Sequence, residues 1–208
     1  MIVCPHAPYS RRVGDRRRVV LVTTLVLGTV LLGVSLRIEP GTVWFYPAAL
    51  ALAAVWAGGA LLAGPPTFGD RSPVRPVLVG LALGAVFVVG ALVVREIPAL
   101  DDAVGAVTAY ADRGSGPLVV LVAVVTGLSE ELYFRGALYD ALPRPVLATT
   151  LVYAVVTVAT GNVMLVFASV LLGLVAAAAR RHSGGVVAPC LVHATWSVVL
   201  LLALPRLF

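Results

Sequence analysis

Charge is scarce in this chain. Of its 208 residues only 12% are charged, against 60% hydrophobic, whereas a soluble domain carries about 25% charge and is about half apolar. Together with a mean hydropathy of +1.02, this shortage excludes an ordinary soluble domain and predicts an integral membrane protein. Cysteine is scarce too. Cys4 and Cys190 are the two present, one in a tail and one in an apolar run, so a disulfide framework is not indicated. No apolar stretch precedes Cys4, which argues against a lipoprotein signal. The first apolar run is long for a signal-peptide core and lacks a convincing small-residue cleavage site, so a retained helix is expected. No internal repeat and no low-complexity tract occurs beyond a bias to Val, Leu and Ala. The net charge of +5 does not point to nucleic acid. Its excess sits in Arg11, Arg12, Arg16, Arg17 and Arg18, and a basic cluster ahead of an apolar span places that end in the cytoplasm. The same arginines are equally compatible with a solvated tail touching anionic lipid.

What remains is apolar runs. They predict an all-α, polytopic transmembrane helix bundle of about seven spans at about 20 residues each. Residues 1–18 read as a basic cytoplasmic tail, disordered or surface-bound. Residues 19–116 hold the N-terminal transmembrane helices and an interfacial segment. Residues 117–208 hold the core helices that carry the polar residues. The spans are expected at 19–36, 43–62, 77–94, 117–138, 146–159, 163–179 and 186–204, the fifth being short. In the polar interval 95–116, Val104, Val107, Thr108 and Ala111 share a helical face, which predicts a short interfacial helix. With the N-terminus inside, the inner loops collect Arg71, Arg75, Arg144, Arg180 and Arg181, while the outer ones are rich in acid, as the positive-inside rule requires.

The fourth run ends in Ser129-Glu130-Glu131-Leu132-Tyr133-Phe134-Arg135-Gly136. Two carboxylates and an arginine at membrane depth cost roughly 2.5–3.5 kcal/mol each on insertion scales, so they must be paired, wet or chemically active. Glu131 and Arg135 are four apart and share a face in the favourable order for an ion pair. Glu130 lies about 100° away and stacks with Phe134 and Thr126, which leaves it free to act on a water. A purely structural use, with both carboxylates pairing Arg135, is the plain alternative. The last span carries His193, four residues after Pro189, where the helix bends or starts. Ser197 lies one turn further on the same face. Glu130 and His193 reach similar depth from opposite directions, so they can share one cavity, expected to open to the cytoplasm. His182 and His6 fall in a turn and a tail and read as solvated.

Glu-Glu-x-x-x-Arg in a span, followed by Ala-Pro-x-x-x-His in the last one, resembles the CPBP family: type II CAAX prenyl proteases and bacterial bacteriocin-processing, Abi-like homologues. The likeness runs over 117–204 and rests on Glu130, Glu131, Phe134, Arg135 and Gly136, then Ala188, Pro189, His193 and Ser197. The resemblance implies an intramembrane endopeptidase in a bacterial cytoplasmic membrane, acting on a peptide or membrane-protein substrate among membrane lipid. It implies Glu130 and His193 as catalytic residues, supported by Glu131, Arg135, Ser197, Thr157 and Tyr153. It also implies a water positioned with or without a metal, zinc on Glu130 and His193 being the metal to consider and no cofactor the alternative. Two positions depart from the family. Thr157, in Tyr153-Ala154-Val155-Val156-Thr157, stands where the family has a middle histidine, and threonine is neither a strong ligand nor a base. Ser197 stands where the family prefers Asn or Asp. A catalytic zinc takes three protein ligands, and both glutamates would have to ligate to reach that number. Two other readings therefore stay open: a non-catalytic relative acting as a membrane binding or scaffold protein, and a proton-coupled transporter.

Overall fold

The computed structural model describes the backbone of residues 7–208 and the side chains of 14–208; Cys4, His6, Arg11 and Arg12 lie outside the described side chains. The described residues form helices joined by loops and turns, with no strand among them, as the apolar runs predict. α1 (Ala7–Ser35), α2 (Phe45–Ala63) and α3 (Val74–Val94) precede a short α4 (Pro98–Arg113). α5 (Gly116–Glu131), α6 (Pro145–Thr157), α7 (Val163–Ser183) and α8 (Val187–Ala203) complete the chain. Six helices among the described residues are long and apolar enough to cross a membrane, against the seven expected; the apolar segment Pro145–Thr160 is shorter. The chain is an integral membrane protein with a polytopic helical bundle.

Several boundaries differ from the sequence-based expectation. α1 begins at Ala7 and runs through the arginines, so 7–18 continues the first helix: past Pro8 it holds no proline, and its arginines are good helix formers that offset Gly14. α7 continues to Ser183 and takes in Arg180, Arg181 and His182, which the apolar pattern assigned to a turn. Asn162 starts α7 as its cap, its Oδ1 accepting from the amides of Met164 (3.0 Å) and Leu165 (3.2 Å). α8 starts rather than bends at Pro189, the third residue of the helix, where a missing N–H costs nothing.

The helices close into a ring. Neighbours pack in the order α1, α2, α5, α8, α7, α6 and back to α1, while α3 lies outside it against α8. Gly80 and Gly84 allow that approach: a Cβ on either would stand 2.7 Å from the side chain of Thr195 or Val199. Small residues four apart let membrane helices pack closely without side-chain obstruction. Opposite, Trp56, Tyr133, Phe134 and Leu52 form the buried aromatic core between α2 and the end of α5. α4 is amphipathic and lies across the end of the ring remote from the N-terminus. Tyr110 donates to the Ile38 carbonyl (2.6 Å), and Asn162 Nδ2 donates to the Ala103 carbonyl (2.6 Å).

Candidate active site

After Glu131 the fifth helix widens into a π-helical turn, Leu132–Ala137, and ends in the tight turn Tyr139–Ala141. A π turn frequently marks a functional site, and it leaves carbonyls without their usual intrahelical partners. Two arginines take them up. Arg180 Nε donates to the Arg135 carbonyl (2.9 Å) and its Nη2 to Asp140 Oδ1 (2.9 Å). From α1, Arg17 Nη2 donates to the Ala137 carbonyl (3.2 Å). Arg180, read from sequence as a loop residue, is thus buried and anchors the polar segment. The acid at Asp140, met across the bundle, is the signal that could have found it.

The wide turn fixes Arg135 in the interior with no exposure at all. Its Nη1 donates to Glu131 Oε1 (3.2 Å), the ion pair expected from the four-residue spacing. Its guanidinium also lies over the Tyr153 ring, 4.8 Å from the centroid. The same Glu131 oxygen accepts from His193 Nδ1 (2.9 Å). Glu131, not Glu130, is therefore the partner of the histidine. Glu130 Oε2 accepts instead from the Tyr153 hydroxyl (2.6 Å). Spacing along one helix gives relative phase but not the rotation of α6 and α8 about their own axes, which decides these pairings.

Glu130, Tyr153, Thr157, His193 and Ser197 all line one cavity of about 240 Å³ inside the ring. Glu130 and His193 thus face one interior cavity from α5 and α8. Its direction is opposite to the expectation. Its other walls come from Leu32 and Leu36 at the end of α1, Phe45 at the start of α2 and Val107 of α4. The cavity therefore extends away from the N-terminal end of the bundle and is roofed by α4. Gly127 faces His193: a Cβ there would stand 3.0 Å from both Cδ2 and Nε2 of the ring. Trp196, one turn from the histidine, packs edge-on against it at 5.8 Å. Neither Gly127 nor Trp196 carries a sequence signal. Thr126 Oγ1 and Trp196 Nε1, both on lining residues, are buried without a hydrogen-bond partner among the described residues.

Zinc does not fit this set of donors. Among the described residues no group of three His, Cys, Asp or Glu could hold a metal ion. Glu131 is fully buried, gives Oε1 to Arg135 and His193, and does not line the cavity, where the Thr157 hydroxyl donates to the Tyr153 carbonyl (2.8 Å). That leaves one Glu130 oxygen and His193 Nε2, two donors where catalytic zinc takes three.

No curated protein and no solved structure matches this chain. Residues 113–199 match the family model described as Type II CAAX prenyl endopeptidase Rce1-like, a stretch that includes Glu130, Tyr153, Thr157, His193 and Ser197 of the cavity wall. The part of the chain that builds the site is therefore similar to the Rce1-like type II CAAX prenyl endopeptidase family, in agreement with the CPBP resemblance of its motifs.

Proposed function

We propose that the protein is an intramembrane endopeptidase that hydrolyses a peptide bond of a membrane-borne substrate, with water activated by Glu130. The observation that supports this reading is the pair Glu130 and His193 on one interior cavity, each already oriented by a different neighbour. Tyr153 holds Oε2 of Glu130, and Oε1 takes a proton from water as the water oxygen attacks the carbonyl carbon. Glu131 holds Nδ1 of His193 and leaves Nε2 as the free ring nitrogen. As the imidazolium, His193 donates Nε2–H to the carbonyl oxygen while it gains negative charge, with the Ser197 hydroxyl as a second donor. The proton on Glu130 then passes to the amine as the C–N bond breaks, and acid and amine leave. In this state Glu130, Glu131, Arg135 and His193 sum to zero charge, the condition under which buried ions are tolerated. Thr126 and Trp196, without partners among the described residues, would bind the polar groups of the peptide backbone.

The N-terminus is assigned to the cytoplasm of a bacterial cell. Arg71, Arg75, Arg144, Arg180 and Arg181 gather at that end of the bundle, the arrangement the positive-inside rule describes. The test of the activity is cleavage of a transmembrane peptide in liposomes. Glu130→Gln and His193→Ala are each expected to lower the rate by roughly 10²–10⁴-fold while the protein still inserts. Thr157 in place of a histidine favours one second reading, a membrane binding protein without hydrolysis. That reading predicts no cleavage by the wild type and partner capture that survives Glu130→Gln.

A further inference from the structure

A second cavity lies at the opposite end of the bundle, apart from the site described above. Because α3 packs on α8 outside the ring, α3 and α7 flank a cleft of about 420 Å³. Val79 of α3 and Ala178 of α7 line its walls and are exposed. No other described residue covers them. Between two membrane helices such an apolar space takes an acyl chain, because water finds no hydrogen-bond partners there.

The cleft ends in Asp70, Ser72, Arg75 and His182. Arg75 belongs to the first turn of α3 and His182 to the last turn of α7, so this polar end sits at the headgroup boundary of the bilayer. The loop that carries Asp70 is firmly placed. The Asp70 amide donates to the Ser183 carbonyl (2.9 Å), and the Val186 amide donates to the Thr67 carbonyl (2.8 Å). Arg75 Nη1 donates to His182 Nε2, which leaves the other guanidinium N–H groups and His182 Nδ1 as donors. Asp70 Oδ1 accepts from the Ser72 amide (2.9 Å), which leaves Oδ2. One guanidinium and one carboxylate at the mouth of an acyl-sized cleft match a headgroup that carries both charges. We propose that this cleft is a specific site for a zwitterionic phospholipid with a primary ammonium. Arg75 and His182 hold the phosphate, Asp70 holds the ammonium, and one acyl chain lies along Val79 and Ala178.

The test is native mass spectrometry of the full chain in micelles doped with equal amounts of phosphatidylethanolamine, phosphatidylglycerol and phosphatidylcholine. Phosphatidylethanolamine is expected to dominate the bound lipid. Arg75→Ala should lower its occupancy roughly tenfold, the effect of losing a charge-assisted hydrogen bond. Ala178→Phe should lower it comparably by filling the cleft with the headgroup residues intact. Asp70→Asn should abolish the preference over phosphatidylglycerol and leave phosphatidylglycerol occupancy unchanged. Equal occupancy of the three lipids in the wild type would overturn the proposal. So would unchanged phosphatidylethanolamine in both Arg75→Ala and Ala178→Phe, or a preference that survives Asp70→Asn.

Discussion

At the scale of single residues, the site depends on Glu131 serving two side chains with one oxygen. Arg135 and His193 both donate to Oε1, from helices that run in opposite directions. The Glu131–Arg135 half of this arrangement is legible in the sequence, since a spacing of four fixes a shared face. The His193 half is not, because no pattern within α8 tells which glutamate its ring will meet. Gly127 is likewise silent in the sequence, and its importance rests on what stands opposite. Gly127→Ala would push a methyl group against the imidazole. Overpacking of this kind costs about 1–3 kcal/mol, and a misplaced catalytic group can cost about 10²-fold in rate. Cleavage is therefore expected to fall much more than the thermal midpoint. The comparison variant Gly58→Ala, at a position with open space for a Cβ, should leave the rate unchanged. Equal rates for the two variants would remove Gly127 from the site.

At the scale of elements, the widened turn at the end of α5 is the feature no pattern announces. Its residues keep an apolar, helical appearance, and the extra residue per turn is visible only once Arg17 and Arg180 are seen bonded to the Ala137 and Arg135 carbonyls. The short α6 and the amphipathic α4, by contrast, are plain in the sequence from run length and the spacing of Val104, Val107 and Thr108. Arg180 carries the prediction at this scale. Arg180→Ala removes two charge-assisted hydrogen bonds and leaves Asp140 without its partner. Loss of one such bond is worth about 1.5–3 kcal/mol, so a clear drop in the thermal midpoint in detergent is expected. Arg181→Ala, at an exposed neighbour, should leave the midpoint nearly unchanged. The two arginines are indistinguishable in the sequence, and a matching loss in both would mean that the Asp140 contact contributes nothing.

At the scale of the whole molecule, hydrophobic runs and arginine placement suffice to predict a polytopic bundle and its depth-matched acid and imidazole. They do not reveal that six helices form a ring with α3 outside it. A helix that is apolar all round looks the same whether it faces lipid or protein. Nor do they reveal that the cavity runs away from the N-terminal end, beneath α4. With the N-terminus in the cytoplasm, that roof faces the outer side of the membrane. A chain with Cys4 and Cys190 replaced by serine would report this through single cysteines. Ser115→Cys, between α4 and α5, is expected to react with a membrane-impermeant maleimide in intact cells, and Ser72→Cys only after lysis. The reverse pattern would invert the assigned topology and turn the cavity to the cytoplasm.

Hydrolysis by Glu130 and His193 as one unit is most directly tested by the kcat/KM of peptide cleavage in liposomes for Glu130→Gln, His193→Ala and the double variant. Residues that act in a single step give losses that do not multiply. The double variant is therefore predicted to cleave no more slowly than the worse of the two single ones. Wild-type rates in either single variant, or losses that multiply in the double one, would contradict the pairing of this acid and this imidazole in one chemical step.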